Sequence, residues 1–183
     1  RYELNNALPA VQALGVGDQV TEIFTYTVSD GHGGTDTATL TVRVMGAADA
    51  PVLTTVTGTA TEAGGTANSE AAVDAVGNVL ATAADPDSHP DSLSVTAIGA
   101  LDASLASTGT ATAGQTLAGL YGSLVVQADG SYRYVVDDAD PQVQALLPGD
   151  TLVDHFAYTV TDGDGAANTA RLDITVQGAE DAV

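Results

Sequence analysis

Apolar and polar side chains alternate along two stretches of the chain, and a short run rich in glycine and aspartate interrupts each stretch. In the first stretch Phe24, Tyr26 and Val28 alternate with threonine and serine. The run DGHGG then breaks the pattern, and Leu40 and Val44 resume it. A period of two places the apolar side chains on one face of a strand, and a Gly-rich turn joins two strands. The pattern predicts a β-hairpin with one buried face.

The second stretch is a copy of the first. FTYTVSDGHGGTDTATLTV at 24–42 returns as FAYTVTDGDGAANTARLDI at 156–174. At an offset of 132 residues the N-terminal Arg-Tyr falls on the Arg-Tyr at 133–134 without a gap, and about half of the overlapped positions are identical. An internal repeat of this kind indicates a tandem array.

Further strand signals lie between the copies. YGSLVVQADGSYRYVV predicts a hairpin that turns at Asp129-Gly130, and VLTTVTGTAT, GNVLATAAD and DSLSVTAIGA each predict a strand. DPQVQALLPGD predicts about one helical turn, whereas ALDASLASTGTATAGQTLAG is either a long connection or an irregular strand. We expect seven strands, all antiparallel, in an all-β immunoglobulin-like or cadherin-like sandwich.

The repeat boundary follows from the hairpins. A cut at residue 133 would split the Asp129-Gly130 hairpin, whereas GAADAP at 46–51 is small, polar and closed by proline. Residues 49–183 are therefore interpreted as one complete repeat with its linker, and residues 1–48 as the C-terminal part of a preceding repeat. The apolar stripe of that part would be exposed. We expect it to pack against another molecule by strand addition or to be ordered by crystal contacts.

Charge and composition narrow the function. Four Lys and Arg against 24 Asp and Glu give a net charge of -20, which would repel a nucleic acid or an anionic membrane face. The chain has no cysteine for disulfides or thiolate sites, and no apolar run approaches the roughly 20 residues of a membrane span. With 44% hydrophobic residues it is too apolar to be simply disordered. Divalent cations are the candidates for offsetting the repulsion between the chain's own negative charges.

Several short acidic clusters have the composition of calcium loops. Calcium binds six to eight hard oxygen ligands, and Asp-x-Asp steps with glycine let one loop supply several. The candidates are Asp162 with Asp164, Asp85 with Asp87, and Asp30 with Asp36, although His32 in the last loop is a poor calcium ligand. Turn formation by Asp-Gly remains the alternative for each, and it is favoured for Asp129.

Other polar residues are assigned structural roles. DDAD at 137–140 could bind a cation, but it precedes a proline at a helix start, which favours capping. His32, His89 and His155 have no transition-metal spacing and are assigned to solvent or packing roles. The chain has no Gly-x-Ser-x-Gly, HExxH or phosphate-binding loop, and carboxylates in turns lack the apolar pocket that acid–base catalysis requires. We predict that it is not an enzyme.

Four motifs occur in a fixed order: DPD at 85–87, GSLVVQADGSYRY at 122–134, FAYTVTDGDG at 156–165, and a closing GAxDA. This order resembles the VCBS and cadherin-like repeats of giant bacterial adhesins of the RTX type. The resemblance covers 52–183 and, at its C-terminal motifs, 1–51. It implies an extender domain of a surface fibre, secreted by a type I system, rigidified by calcium outside the cell, and serving adhesion or biofilm formation.

The resemblance also places calcium at the linkers. The usual closing Asn-Asp-x-Pro appears here as ADAP at 48–51 and EDAV at 180–183, so each linker lacks an amide ligand. Asp49 and Asp181 remain as implied ligands, and we expect Glu62 to join Asp49 at the junction between neighbouring repeats of the same chain. The alternative is a calcium-dependent carbohydrate- or cell-binding module. A content of 4% aromatic residues without tryptophan argues against a sugar platform.

Overall fold

The computed structural model describes residues 1–87 and 93–181. His89 and the first residues of the predicted strand DSLSVTAIGA therefore lie outside the described residues. The chain divides into two units. The first comprises Arg1–Asp49 with Pro86–Pro90, and the second comprises Ala50–Asp85 with Asp91–Val183.

The first unit contains a helical turn and the predicted hairpin, whereas DPQVQALLPGD at 140–150, where a helical turn was predicted, forms hydrogen-bonded turns without a helix. The helix α1 (Pro9–Gln12) precedes the strands β1 (Gln19–Ser29) and β2 (Thr35–Met45). The strands pair antiparallel, with Phe24 opposite Leu40. Their connection turns through two glycines with positive φ, Gly31 and Gly33, a conformation that other residues adopt only at a cost.

The second unit is a sandwich of two β-sheets. Its strands are β3 (Val56–Thr61), β4 (Ala75–Asn78), β5 (Ser94–Leu101), β6 (Ser107–Thr112), β7 (Thr116–Ala118), β8 (Gly122–Val126), β9 (Ser131–Val136), β10 (Thr151–Thr161) and β11 (Ala167–Gln177). One sheet has the order β3-β11-β10-β5-β6 and the other β4-β9-β8-β7. The all-β fold predicted from the sequence is confirmed.

The core lies between these sheets and follows the predicted alternation. Phe156 and Tyr158 on β10 and Leu172 on β11 are buried, as are Leu124 and Tyr134 on the facing sheet. Each fully buried side chain of this size contributes about 1.5–3 kcal/mol to folding. Burial of alternate residues is what fixes the register of the long β10–β11 hairpin.

The turn chemistry that the sequence indicates at Asp129-Gly130 is also confirmed. This turn joins β8 to β9, and Gly130 has a φ of 81°. Asp129 Oδ1 accepts hydrogen bonds from the amide and the hydroxyl of Ser131, at 3.0 and 2.6 Å. These bonds, the hydroxyl first, lower the pKa of Asp129. The carboxylate of Asp129 therefore serves the turn.

The structure corrects two expectations about the strands. The expectation that every pair is antiparallel was wrong, because β3 runs parallel to β11. Gly58 on β3 faces the packed side chains of the core, since a Cβ there would lie 2.7 Å from both Ile174 Cδ1 and Tyr132 Oη. The low-complexity run of Thr, Ala and Gly forms two regular strands, β6 and β7, which belong to different sheets. The described part of the second unit thus has nine strands instead of the predicted seven.

Candidate metal centre

The loop after β3 lies against the segment that follows β11. Because the two strands are parallel, both end at the same edge of the sandwich. The Glu62 amide donates to the Gln177 carbonyl at 3.0 Å, and the Gly65 amide donates to the Glu180 carbonyl at 2.8 Å. A Cβ at Gly64 would lie 2.8 Å from Ala179 Cβ, so glycine is needed for this close approach.

Glu62 is the most deeply buried carboxylate of this edge. The residue is 2% exposed, and its Oε1 accepts a 3.0 Å hydrogen bond from the Ala179 amide. The second oxygen, Oε2, is buried and makes no hydrogen bond. A buried polar atom without a partner is costly, because folding removes it from water and returns nothing. A bound cation or a proton would therefore satisfy the Oε2 atom of Glu62.

Two further carboxylates act on Glu62. Burial raises its pKa above the ordinary value of 4.5, and the charges of Asp181 and Asp138 raise it further, against a lowering effect of the Ala179 hydrogen bond. Asp181 was predicted from the linker motif. The site thus combines a buried carboxylate with two neighbouring negative charges, which is an environment that favours a cation.

Asp138 was not among the predicted metal ligands. It follows β9, and its Oδ1 accepts a 2.9 Å hydrogen bond from the Ala63 amide, which places it beside the Glu62 loop. Capping of a helix was predicted for its neighbour Asp140; no helix forms there, and Asp140 Oδ1 accepts from the Gln142 amide at 2.7 Å within a turn. The consecutive aspartates of DDAD were the only sequence signal for Asp138.

Of the predicted pair Asp162 and Asp164, only Asp162 is buried. Asp162 follows β10, is 7% exposed and accepts a 2.8 Å hydrogen bond from the Ala166 amide through Oδ1. Its Oδ2 is buried and makes no hydrogen bond. Asp164 is exposed. Asp162 is therefore a second carboxylate with one oxygen still to be satisfied.

Asp87 and Asp49 are brought together within the first unit. Asp87 is 9% exposed, and its Oδ2 accepts a 3.1 Å hydrogen bond from the Asp49 amide. The structure thus links one predicted loop ligand to one predicted linker ligand. Asp85 is half-buried.

Asp30 and Asp36 have local turn contacts. Asp30 Oδ1 accepts from the amides of His32 and Gly34, at 2.8 and 2.9 Å, which is the Asx-type alternative considered for this loop. Asp36 Oδ1 accepts from the amide of Thr37 at 2.8 Å. Both aspartates line an open cavity of about 410 Å³ at this end of the hairpin.

The nine predicted ligands do not gather into one cluster. Over residues 1–87 and 93–181, no three side chains of His, Cys, Asp or Glu are grouped closely enough to hold a metal ion by themselves. His155 Nδ1 forms a 2.6 Å polar contact with Asp173 Oδ1, a role other than the solvent or packing role predicted for it. The described residues also contain no helix long and apolar enough to cross a membrane.

Known protein families match both units of the chain. Residues 48–178 match the family model of the bacterial cadherin-like domain. Residues 10–43 match the model of the bacterial Ig domain. No curated protein matches the chain.

Proposed function

The chain belongs to the family of bacterial cadherin-like domains, and on that premise we propose that it is a calcium-stabilised extender domain of a secreted bacterial surface adhesin. Domains of this type are typically non-catalytic structural modules found at the surface or outside the cell. In the proposed role, repeats of the chain hold a distal ligand-binding region away from the cell during adhesion or biofilm formation. The RTX type of adhesin, secreted by a type I system, remains part of this proposal.

The observation that carries the proposal is the buried Oε2 atom of Glu62, which has no hydrogen-bond partner. Calcium prefers carboxylate and carbonyl oxygens, and its positive charge would offset part of the negative charge of Glu62, Asp138 and Asp181. Glu62 would supply the buried ligand, with main-chain carbonyls and water completing the six to eight ligands, while Asp138 and Asp181 add negative charge nearby without forming a three-carboxylate cluster with it. Calcium bound there would neutralise part of the net charge of -20.

The position of this site suits a spacer. Glu62 lies where the chain leaves the sandwich, just before the linker residue Asp181. Asp49 occupies the same position in the sequence repeat, 132 residues earlier. An ion that joins a rigid loop to the linker restricts the rotation of the linker, and an array of such joints resists bending. Asp162 and Asp87, both largely buried, are the proposed ligands of further ions.

Thermal unfolding of the whole chain tests this function. Calcium at a hundredfold its dissociation constant adds about 2.7 kcal/mol, which for a chain of this size raises the melting temperature by roughly 5–10 °C over the value in chelator. Glu62→Gln should lose at least about tenfold in calcium affinity, the lower end of what even outer-shell partners of metals cost. Glu70→Gln is the matched control, because Glu70 is an exposed carboxylate of the same loop. Equal melting curves with and without calcium would refute the proposal.

A further inference from the structure

The two sheets of the second unit end in four outer strands. In the described part of the chain, β3 and β6 are the outer strands of one sheet, and β4 and β7 those of the other. An outer strand presents unpaired main-chain groups, which can pair with another chain. Proteins guard such edges by short length, by charge, by proline or by additional pairing. The four edges differ in these protections.

Three of the edges are guarded. Thr61, at the end of β3, exchanges two main-chain hydrogen bonds of 2.9 Å with Val73. The strand β4 has four residues and follows Asp74, which forms a 2.6 Å ion pair with Arg133 on the adjacent strand β9. The strand β7 has only three residues. Each of these edges is therefore a poor template for pairing with a second chain.

The fourth edge, β6, is open. Its sequence, STGTAT, contains no charged residue and no proline, and the strand pairs with β5 on one side alone. A register shift opposite Ala100 and Leu101 affects the start of the strand and leaves residues 109–112 in regular pairing with β5. The regular part of β6 thus has none of the devices that protect the other edges.

The main-chain groups of two threonines on β6 point away from the sheet. The Ala113 amide, directly after β6, donates to the Thr96 carbonyl of β5 at 3.3 Å. Successive residues of a paired strand direct their main-chain groups alternately towards the neighbouring strand and away from it. The amides and carbonyls of Thr112 and Thr110 therefore face outwards from β5. Both threonines are exposed.

The charge pattern of the sequence distinguishes the same edge. The chain has 24 Asp and Glu against four Lys and Arg, yet residues 103–128 include no charged residue. This segment contains all of β6 and β7, together with two exposed leucines, Leu105 and Leu120. Acidic surfaces of two copies repel each other. A neutral edge is a place where two copies can meet without adding to that repulsion.

We propose that β6 is a pairing surface for β6 of a second copy of the chain. The two strands run antiparallel about a two-fold axis at Thr110, so that each Thr110 amide donates to the other Thr110 carbonyl. The contact is isologous, because the same edge serves both partners. It joins the five-stranded sheets of the two copies into one continuous sheet by β-strand addition.

A second copy suits this edge better than a partner of opposite charge. A basic partner would be drawn to the acidic surfaces that give the net charge of -20, and a neutral edge offers it nothing comparable. In the self-paired arrangement, threonines of one β6 lie opposite threonines of the other. Cross-strand threonine pairs stabilise antiparallel sheets.

The short length of β6 makes each contact weak. A strand of six residues buries less than the roughly 1,000 Å² expected of a stable interface. In a tandem array, however, the first pair of edges brings the next pairs together, and their formation becomes intramolecular. The pairing therefore serves reversible lateral contact between neighbouring chains.

Cysteine cross-linking of the intact chain tests the pairing, because the sequence contains no cysteine. Thr110→Cys places one thiol at the two-fold axis, where the paired Cα atoms would lie about 5.5 Å apart, within the range of a disulfide. Thr169→Cys is the matched control, since Thr169 is exposed on β11, an interior strand of the same sheet. Under mild oxidation, Thr110→Cys should form covalent dimers several-fold faster than the control. Equal rates would overturn the proposal.

Lysine substitutions separate strand pairing from general charge repulsion. Sedimentation of the parent chain in about 1 M salt, where the Debye length is about 3 Å, should show self-association that increases with protein concentration. Thr110→Lys should weaken it, because two lysines would meet at the axis. Thr169→Lys makes the same change in net charge and should not weaken it. A parent chain that stays monomeric, or equal weakening by both variants, would refute the pairing.

Circular dichroism of every variant reports whether the sandwich has folded. Repeating the sedimentation in chelator separates this edge from the calcium site, because β6 contains no carboxylate and its pairing requires no metal. Association that persists in chelator and is weakened by Thr110→Lys supports the β6 edge. Association that disappears in chelator and withstands Thr110→Lys would place the contact at the calcium site, and the proposal would be wrong.

Discussion

The hydroxyl of Tyr134 donates a 2.6 Å hydrogen bond to Oδ2 of Asp154, a carboxylate that is completely buried. The same carboxylate accepts from the amides of Leu120 and Tyr121, at 2.7 and 3.0 Å. Tyr134 belongs to β9 in one sheet and Asp154 to β10 in the other. A single aspartate thus ties the two sheets to the loop between β7 and β8.

Tyr134→Phe should destabilise the second unit by about 1–3 kcal/mol, the cost of removing one hydrogen-bond partner from a buried charged group. The phenyl ring retains the contact with Phe156, so the loss reports the hydroxyl alone. Urea unfolding measures the difference in free energy. Tyr26→Phe is the control, because this half-exposed tyrosine should change stability by less than about 0.5 kcal/mol. Equal effects of the two changes would contradict the role of Asp154.

Glu62 makes the stability of the calcium-free protein depend on pH. Its pKa is raised in the folded state by burial first, then by Asp181 and Asp138. The associated stability is fully present below about 4.5, the unfolded pKa, and is lost as the pH rises through the folded value. In chelator, Glu62→Gln should therefore be more stable than the parent at pH 7 and show no advantage at pH 4.

Calcium should reverse the sign of this change at pH 7, because the variant then lacks a charged ligand. The measurement is the free energy of unfolding at both pH values, with calcium and with chelator. Glu70→Gln should follow the parent in all four conditions, since Glu70 is exposed. A variant that is less stable than the parent in chelator at pH 7 would show that ionised Glu62 is already satisfied without a metal.

Two turn glycines with positive φ should differ in their tolerance of alanine. Gly130 and Gly165 have φ values of 81° and 91°, so each alanine incurs about 1–2 kcal/mol of backbone strain. At Gly130 the new Cβ would also lie 2.6 Å from Asn78 Oδ1 and Leu80 Cγ, whereas nothing lies within 4 Å at Gly165. Crowding of this kind adds about 1–3 kcal/mol, so Gly130→Ala should melt at the lower temperature. Equal melting temperatures would contradict the packing of Leu80 against this turn.

Removal of residues 1–48 should leave the second unit nearly unchanged. Its core residues, among them Phe156 and Leu172, belong to residues 50–181, and Asp49 with its amide is retained. We expect its unfolding free energy to stay within about 0.5 kcal/mol, the usual size of surface changes. Calorimetry of the shortened chain measures this. A collapse of stability would show that the first unit is an integral part of the second and that the predicted boundary is misplaced.

The parts of the fold that the sequence predicts are those with a local signal. The hairpins β1–β2 and β10–β11 combine alternation with an Asp-Gly turn, and both signals fall within about 25 residues. The pairing of β3 with β11 joins residues more than a hundred positions apart, and nothing in either strand specifies its direction. In β6 and β7 only Leu117 is a large buried residue, so an apolar alternation is missing there.

The residues of the candidate site also fall into those with a local sequence signal and those that depend on long-range contacts. Glu62 and Asp181 were each predicted from their positions relative to the linkers, although the prediction joined Glu62 to Asp49 and not to Asp181. Asp138 could not be distinguished from the capping aspartates beside it, because its partner Ala63 lies 75 residues away. Asp154 lies on the buried face of β10, in line with Phe156 and Tyr158. A pattern of hydrophobic and polar positions does not predict a charged residue on that face. Long-range contacts decide both cases.

The parallel pairing of β3 with β11 has a mechanical consequence. Tension on the two ends of the repeat pulls β3 and β11 in opposite directions along their common axis. The hydrogen bonds from Val56 to Thr61 are then loaded together, in shear, whereas an antiparallel hairpin pulled from its two free ends opens one bond at a time. Single-molecule pulling should therefore show one high-force rupture for each repeat. A fibre built from such repeats transmits a load along its length before any of them unfolds.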